Sequence, residues 1–264
     1  MSQVGPVALS SRADAVHLKV LLYGASGAGK TVFCCASQQF NTFVFDVDDG
    51  AESAAAFKGD PAHGTQSTRK DNVVTWRVTS AADFDAAFAW LSANSQHFQL
   101  VVLDTATELQ RLLLGEICKK NKQLVPNQAC WGEILVTMEN IARSFRHLPF
   151  HVIWTAHEKG YEDKDMARVT WRPNFSGDFA IQYAKHFGEI WRYVVSDNPV
   201  EDPVTKRVSY QAVRAVNTSK DGVTEAKDRS QGLDKWEIPN IDSIFSKAIT
   251  AIQTKGETTT DGCN

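Results

Sequence analysis

The chain has 264 residues, which is long enough for one large domain with a substantial core. Its net charge of −3, with 43% hydrophobic and 22% charged residues, excludes a polycation that would bind nucleic acid through overall charge. No apolar run approaches a membrane span and no segment has the pattern of a signal peptide, so we expect no membrane partner. Five cysteines without zinc-ligand spacing indicate a reducing, cytoplasmic location.

In chain order, apolar runs alternate with amphipathic stretches. Strands are predicted at Leu18–Tyr23, Thr42–Asp46, Val73–Val78, Leu100–Asp104, His151–Ala156, Gly188–Val195 and Ser209–Val216. Helices are predicted at Thr31–Gln38, Ala81–Asn94, Thr107–Lys120, Trp131–Arg146 and Ile241–Gln253. Several early strands are almost wholly apolar, as in parallel sheets covered on both faces, whereas the last two alternate and lie close together. We therefore predict an α/β fold, with a mostly parallel central sheet flanked by helices and with antiparallel edge strands.

The domain organisation follows from composition. Residues 1–14 and 254–264 are polar and lack apolar periodicity, so we expect a flexible N-terminus and a disordered tail. Residues 15–253 contain no repeat and no linker, which predicts a single core.

A glycine-rich segment follows the first predicted strand and opens the first predicted helix. It matches G-x-x-x-x-G-K-[ST], the P-loop pattern, whose backbone N–H groups surround a phosphate. Lys30 would reach the β- and γ-phosphates of ATP, and the Thr31 hydroxyl would hold Mg²⁺. The alternative is a chance glycine-rich turn with an exposed lysine. The predicted nucleotide-binding residues are Gly24, Ala25, Ser26, Gly27, Ala28, Gly29, Lys30, Thr31 and Val32.

A second nucleotide signal is the apolar strand that ends in Asp104, 74 residues after Lys30. An aspartate at the carboxyl end of a strand beside the P-loop strand can bind Mg²⁺ together with Thr31. The alternative is that Asp104 only caps the helix that starts near Thr105.

Hydrolysis of ATP also needs a group that activates water. Asp48 follows the second predicted strand, Asp83 the third, and Glu108 lies one turn beyond Asp104. We favour Asp48 or Asp83, although an acid in a turn or in the first turn of a helix has an ordinary structural role. His157, at the end of the fifth strand, is a candidate sensor of the γ-phosphate or a simple strand-exit histidine.

This ordering of motifs resembles the RecA-like ATPase core. More narrowly, the chain resembles phage RecA-core single-strand annealing proteins of the Sak group, over about residues 16–250. The stretches that carry this resemblance are Thr155-Ala156-His157, Arg172-Pro173-Asn174-Phe175-Ser176-Gly177, Phe187-Gly188-Glu189-Ile190-Trp191-Arg192, Ala226-Lys227-Asp228-Arg229-Ser230 and Pro239-Asn240-Ile241.

The resemblance implies an ATPase that binds and anneals single-stranded DNA and assembles with itself into a ring or filament. A single-strand binding protein is a further expected partner, and a phage-encoded protein would act in the bacterial cytoplasm. RecA-like proteins often place a glutamate after the second strand, where this chain has Asp48 and Asp49, so hydrolysis is expected to be slow.

The resemblance also assigns two further groups of residues. Lys227 and Arg229 would reach the ATP of a neighbouring subunit, as an arginine finger does, or would form a solvated charged turn. Two segments, read as loops, carry cations and aromatic rings that suit phosphates and unpaired bases, although solvated loops are the alternative. The predicted DNA-binding residues are Lys119, Lys120, Lys122, Lys159, Tyr161, Lys164, Arg168, Trp171 and Arg172.

Two other functions are compatible with a P-loop. One is a switch or loader ATPase that acts through a protein partner, and the other is a small-molecule kinase with an Arg-rich lid. Stimulation by DNA separates the annealing function from both.

Overall fold

The computed structural model describes residues 16–57, 71–163, 167–201, 203 and 206–257. Within them, ten strands form one sheet with helices on both faces, which confirms the predicted fold class. The strands are β1 Lys19–Gly24, β2 Thr42–Asp46, β3 Val73–Arg77, β4 Leu100–Asp104, β5 His151–Asp163, β6 Arg168–Pro173, β7 Glu189–Glu201, β8 Val208–Asn217, β9 Lys227–Asp228 and β10 Trp236–Glu237. The α-helices are α1 Lys30–Cys35, α2 Ala51–Ala56, α3 Ala81–Ala93, α4 Ala106–Lys120, α5 Gln128–His147, α6 Phe179–Gln182 and α7 Ile241–Glu257.

The strand order is β10-β8-β7-β1-β5-β4-β2-β3, with β6 paired to β5 and β9 paired to β7. The prediction that the strand of Asp104 lies beside the P-loop strand is wrong, because β5 lies between β1 and β4. All three strands are parallel, so their carboxyl ends meet at one edge of the sheet. The residues at the end of β5 therefore lie between the P-loop and Asp104.

Two apolar layers cover the sheet, one on each face. Successive residues of β1 alternate between them, with Leu21 in one layer and Leu22 in the other. Helices α3, α4 and α5 cover the first face, whereas α1 and α7 cover the second. This burial on both faces explains the near-continuous apolar character of β1, β2, β4 and the first half of β5.

Two segments differ from the sequence expectation in extent. Strand β5 continues seven residues past Ala156 and pairs with β6 from Glu158↔Pro173 to Asp163↔Arg168, so the second predicted DNA-binding loop is an antiparallel hairpin. Strands β7 and β8 form the predicted antiparallel pair, but they extend as a ribbon from Arg192↔Asn217 to Glu201↔Val208. The outer halves of both hairpins do not pack on the core, so their sequences lack the apolar alternation that predicts a strand.

At the C-terminus, α7 runs to Glu257 and so passes the predicted end of the core at residue 253. The predicted flexible N-terminus, residues 1–14, and the rest of the predicted disordered tail lie outside the described residues. In the part of the chain that the structure describes, no helix is both long and apolar enough to cross a membrane.

Candidate nucleotide-binding site

The P-loop connects β1 to α1 at the carboxyl end of the sheet. Gly29 has a φ of 107°, a value that side-chain-bearing residues rarely adopt, and α1 begins at the next residue. Lys30 is 5% exposed, and its ammonium donates hydrogen bonds to the carbonyls of Gly24 at 3.0 Å and Ala25 at 2.8 Å. Burial lowers the pKa of Lys30, and the charge of Asp104 opposes that shift. The loop thus holds a desolvated cation at the helix N-terminus, a setting suited to phosphate.

Asp104 receives hydrogen bonds from two hydroxyl groups on different elements. Thr31 Oγ1 donates to Oδ2 at 2.6 Å, and Thr155 Oγ1 donates to Oδ1. Asp104 is 1% exposed, so burial raises its pKa, while both hydroxyls favour the charged form. Mg²⁺ is commonly held by one or two protein oxygens together with waters and phosphates, and Thr31 and Asp104 offer such a pair.

The helix-capping alternative for Asp104 is wrong. The side chain of Thr105 caps α4 by accepting a hydrogen bond from the Glu108 N–H at 3.2 Å. The Asp104 carboxylate is directed toward Thr31 and Thr155 instead. Its placement at the end of β4 is therefore consistent with a metal-binding role.

The turn after β2 packs against this pair of residues. A Cβ atom at Gly50 would lie 2.9 Å from both Asp104 Oδ2 and Thr31 Oγ1, so only glycine fits here without displacing them. Asp46 fixes the turn by accepting from the N–H groups of Gly50 at 3.0 Å and Ala51 at 3.4 Å. The acidic turn that the sequence singled out thus lies at the site.

His157 lies between two carboxylates at the end of the core part of β5. Its Nε2 is 3.6 Å from Asp48 Oδ2 and 3.7 Å from Glu108 Oε1. The Thr107 hydroxyl accepts a hydrogen bond from the His157 backbone N–H at 3.1 Å, and Arg111 pairs with Glu108 at 2.6 Å. The structure thus brings Asp48 and His157 together and adds Glu108 as a second acid beside the same ring.

Asp83 has a structural role. Its carboxylate accepts hydrogen bonds from the Thr79 N–H at 3.0 Å and the Thr79 hydroxyl at 2.6 Å, and these bonds lower its pKa. It lies in the first turn of α3, which follows the edge strand β3, two strands away from β4. None of its hydrogen bonds within the described residues reaches the P-loop or Asp104, so the expectation of a catalytic Asp83 is not supported by its position.

Arg214 is a further residue near the P-loop, and no sequence motif predicts it. Strand β8 places its Nε 3.8 Å from the position of a Cβ atom at Gly29, next to the Tyr193 hydroxyl. Arg214 is half-buried and forms no ion pair within the described residues. A cavity of about 160 Å³ separates it from α1 and is lined by Gly27, Gly29, Val32, Phe33, Ala36, Phe57, Tyr193, Arg214 and Pro239. No local motif marks Arg214 within the sequence of β8, so only the pairing of β7 with β8 reveals it.

Lys227 and Arg229 lie at the opposite end of the sheet from the P-loop. Lys227 pairs with Ile190 near the start of β7, and its ammonium donates to the carbonyls of Ala184 at 3.2 Å and Phe187 at 2.7 Å. Arg229 is exposed. Neither side chain can reach the P-loop of its own chain, so contact with ATP would require a second copy.

The predicted DNA-binding residues occupy two separate places. Lys119 and Lys120 end α4, and Lys122 lies in the turn before α5; all three are exposed. Lys120 pairs with Glu133 at 2.7 Å, and the carboxylate offsets part of the positive potential that Lys120 presents to a ligand.

The second group lies on the β5–β6 hairpin. Lys159 and Arg172 each lie 5.6 Å from the centre of the Tyr161 ring. Trp171 packs against Arg192 of β7 at 4.8 Å, and Arg192 pairs with Glu158 at 2.8 Å. Arg168 is exposed on β6, and Lys164 lies outside the described residues. The hairpin therefore joins cations and aromatic rings to the core next to His157.

Comparisons with known proteins give one family and a larger number of distant structural similarities, of which two follow. A family model described as an AAA domain matches residues 17–230. A comparison with curated proteins finds no match. A KaiC-like protein from the archaeon Pyrococcus horikoshii OT3 is similar at 12% identity and a TM-score of 0.39, covering 75% of this chain and 84% of that one. An ATPase of a bacterial type III secretion system is similar at 11% identity and a TM-score of 0.43, covering 67% of this chain and 52% of that one.

Proposed function

This chain belongs to the AAA domain family of P-loop ATPases, and we propose that it uses ATP to bind single-stranded DNA and to anneal complementary strands. The observation that carries this proposal is the continuity of β5. One strand holds Thr155 at the Asp104 carboxylate and His157 beside Asp48, and then forms the cationic hairpin with Lys159 and the aromatic rings. A shift of His157 on nucleotide binding would be transmitted directly to that hairpin.

In this function, each side chain of the nucleotide-binding site has a distinct role. Lys30 would exchange its bonds to the P-loop carbonyls for bonds to the β- and γ-phosphates, and Arg214 would approach the phosphates from the same chain. Thr31 and Asp104 would hold Mg²⁺, which neutralises charge on the phosphates when it is bound. Asp48 would accept a proton from the attacking water, with His157 orienting it.

The residues proposed to contact DNA lie on the β5–β6 hairpin, at the end of α4 and in the turn that follows it. Lys159, Arg172 and Lys119 are exposed cations that can neutralise phosphates, while Tyr161 and Trp171 offer rings for stacking on unpaired bases. Glu162 weakens the local positive field. We therefore expect moderate, salt-sensitive binding rather than tight binding independent of ATP.

The proposed function also requires several copies of the chain to assemble. Arg229 is exposed and could reach the nucleotide of a neighbouring subunit, whereas Lys227 would first have to leave two carbonyl groups of its own chain. The proposed oligomer would align the hairpins of neighbouring copies along one DNA strand, and a single-strand binding protein is a proposed partner at that strand. Ring and filament are both compatible with this arrangement.

The first experiment measures ATP hydrolysis by the wild type and Lys30→Ala, with and without single-stranded DNA, alongside light scattering. We expect DNA to stimulate hydrolysis, Lys30→Ala to abolish it, and nucleotide with DNA to produce large species. A monomer whose ATPase rate ignores DNA would contradict the proposal.

A second experiment tests the hairpin itself. Lys159→Ala with Arg172→Ala should weaken binding of a fluorescent oligonucleotide and reduce the salt dependence, because two phosphate contacts are lost. Arg207→Ala, an exposed cation before β8, is the matched control and should leave binding unchanged. Equal weakening by the control would mean that the hairpin holds no special contact.

A partner-regulated switch or loader is the alternative that one observation favours. Leu124 and Val125 in the turn between α4 and α5 are 103% and 72% exposed. Apolar side chains at such a turn suit contact with another protein. ATP-dependent capture of a protein in the absence of DNA would favour this function over annealing.

A further inference from the structure

A cavity of about 350 Å³ lies at the amino ends of β1 and β7. The P-loop lies at the other end of β1, and six strand residues at about 3.3 Å each place the two sites roughly 20 Å apart. The cavity is lined by Val16, His17, Leu18, Lys19, Arg146, Lys185, His186, Phe187, Gly188, Glu189, Arg229, Ser230, Ile252 and Lys255. It is therefore separate from the nucleotide site.

The cavity is strongly cationic in a chain of net charge −3. Its cationic lining residues are Lys19, Arg146, Lys185, Arg229 and Lys255. Among the described lining residues the only acid is Glu189, which is 1% exposed. Burial, followed by the charge of Asp228, raises the pKa of Glu189 to about 7, so near neutral pH this carboxyl carries only part of a negative charge.

His186 supplies a polar group inside the cavity that has no partner. His186 is 6% exposed, and neither Nδ1 nor Nε2 has a hydrogen-bond partner within the described residues. Burial, followed by the charge of Lys185, lowers the pKa of His186, so the ring is neutral and offers one N–H donor. Buried donors are rarely left unpaired, and a ligand that accepts this hydrogen bond would account for it.

The cations divide into two groups by their existing contacts. The Lys19 ammonium donates to the carbonyls of Leu148 and Phe150, and Lys185 pairs with Glu139. The Lys255 ammonium donates to the carbonyl of Ser230 at 3.0 Å. Arg146 and Arg229 are exposed and form no ion pair within the described residues. The three lysines therefore contribute to the positive field, while the two guanidinium groups are available to a ligand.

We propose that this cavity binds a phosphate group, with Arg146 and Arg229 neutralising its charge and His186 donating a hydrogen bond to it. Guanidinium groups match phosphate oxygens in geometry and charge. The source is free phosphate or a small phosphorylated molecule, since the cavity exceeds the size of one phosphate group. Phosphate binding here does not require the proposed DNA annealing function, although Arg229 is also the residue proposed to reach the ATP of a neighbouring subunit.

The test uses the full chain carrying Lys30→Ala, so that the P-loop lysine does not contribute. Inorganic phosphate and adenosine monophosphate are titrated separately while the imidazole signals of His186 are followed by NMR. We expect a saturable shift with at least one probe. Arg146→Ala with Arg229→Ala should weaken binding tenfold or more, because two charge-assisted hydrogen bonds are lost. Arg207→Ala is the matched control and should leave the affinity unchanged.

Tighter binding of adenosine monophosphate would identify a phosphorylated molecule as the ligand, whereas tighter binding of inorganic phosphate would identify free phosphate. No saturable shift with either probe, or unchanged affinity in the double variant, would overturn the proposal. His186→Gln keeps a donor and provides a second test, since it should bind more tightly than His186→Phe. Loss of ATPase activity or of DNA binding would not change these results, because the titration follows phosphate binding at His186.

Discussion

Thr31 and Asp104 lie 73 residues apart in the sequence, yet Thr31 Oγ1 donates a hydrogen bond to Asp104 Oδ2 at 2.6 Å. Thr155 of β5 bonds the other carboxylate oxygen, so side chains from α1, β4 and β5 meet at one carboxylate. This geometry depends on β5 lying between the P-loop strand and the strand of Asp104. Thr155 thereby fixes the orientation of Asp104 toward Thr31.

Thr155→Val should impair catalysis through Asp104. It removes the hydroxyl from a buried carboxylate oxygen, which costs about 1–3 kcal/mol in the free energy of unfolding. We expect kcat to fall about 10-fold or more because an outer partner of the metal site is lost. Steady-state hydrolysis at several Mg²⁺ concentrations measures this, and Thr155→Ser should restore most of the rate. Normal kcat in Thr155→Val would show that Asp104 needs no such support.

Asp48→Asn and Glu108→Gln should distinguish the two acids beside His157. If Asp48 accepts the proton of water, Asp48→Asn lowers kcat by about 10²-fold or more with little change in KM. Glu108 already pairs with Arg111, so Glu108→Gln should have a smaller effect. Single-turnover hydrolysis checks both variants. The reverse ranking would assign the role to Glu108.

Arg214→Ala should weaken nucleotide binding in a monomer. Its guanidinium approaches the P-loop within one chain, and loss of a charge-assisted hydrogen bond corresponds to about 1.5–3 kcal/mol, or roughly tenfold or more in Kd. Calorimetry of ATP binding at low protein concentration gives the affinity. Arg207→Ala serves as a control because Arg207 is exposed just before β8. Unchanged affinity in Arg214→Ala would show that Arg214 makes no contact with the nucleotide.

Arg192→Ala should separate DNA stimulation from basal hydrolysis. Arg192 joins Glu158 at 2.8 Å and lies 4.8 Å from the Trp171 ring, so it links β7 to the hairpin. Both partners of the ion pair are largely buried, and we expect the free energy of unfolding to fall by up to about 3 kcal/mol. Urea denaturation and ATPase assays with and without DNA measure the two effects. Retained DNA stimulation in a folded variant would argue against transmission through this contact.

Glu189 should make stability depend on pH. The carboxyl ionises near pH 4.5 in the unfolded chain and near 7 in the folded chain, mainly because it is buried. Between these values the folded state holds more protons, so the free energy of unfolding decreases as the pH rises, by up to about 3 kcal/mol.

Glu189→Gln should remove this decrease. Burial lowers the pKa of His151 to about 4, which produces the opposite slope below pH 6.5, so the wild-type and variant curves must be subtracted. Urea denaturation from pH 4.5 to 8 gives both curves, and Glu52→Gln is the control at an exposed position. A flat difference between wild type and Glu189→Gln would contradict the prediction.

The sequence located the P-loop and Asp104 because their signals are local. A fixed spacing of glycines, Lys30 and Thr31 is visible in one short segment, and alternating apolar runs gave the core strands within one or two residues at their starts. The sequence predicts a loop after His157, because the outer part of this hairpin contacts little of the core and carries no apolar pattern. Asp83 also follows a predicted strand, which makes it a candidate catalytic acid by sequence. Its strand lies at the edge of the sheet, away from the P-loop.

The sequence by itself thus determined that this chain has a P-loop, an acid at the end of a buried strand and an α/β core. Only the tertiary structure decided which side chains share a site: Thr155 with Asp104, Asp48 with His157, and Arg214 with Gly29. These pairs depend on the order of strands in the sheet. That order is determined by packing between segments far apart in the chain, which local periodicity does not encode.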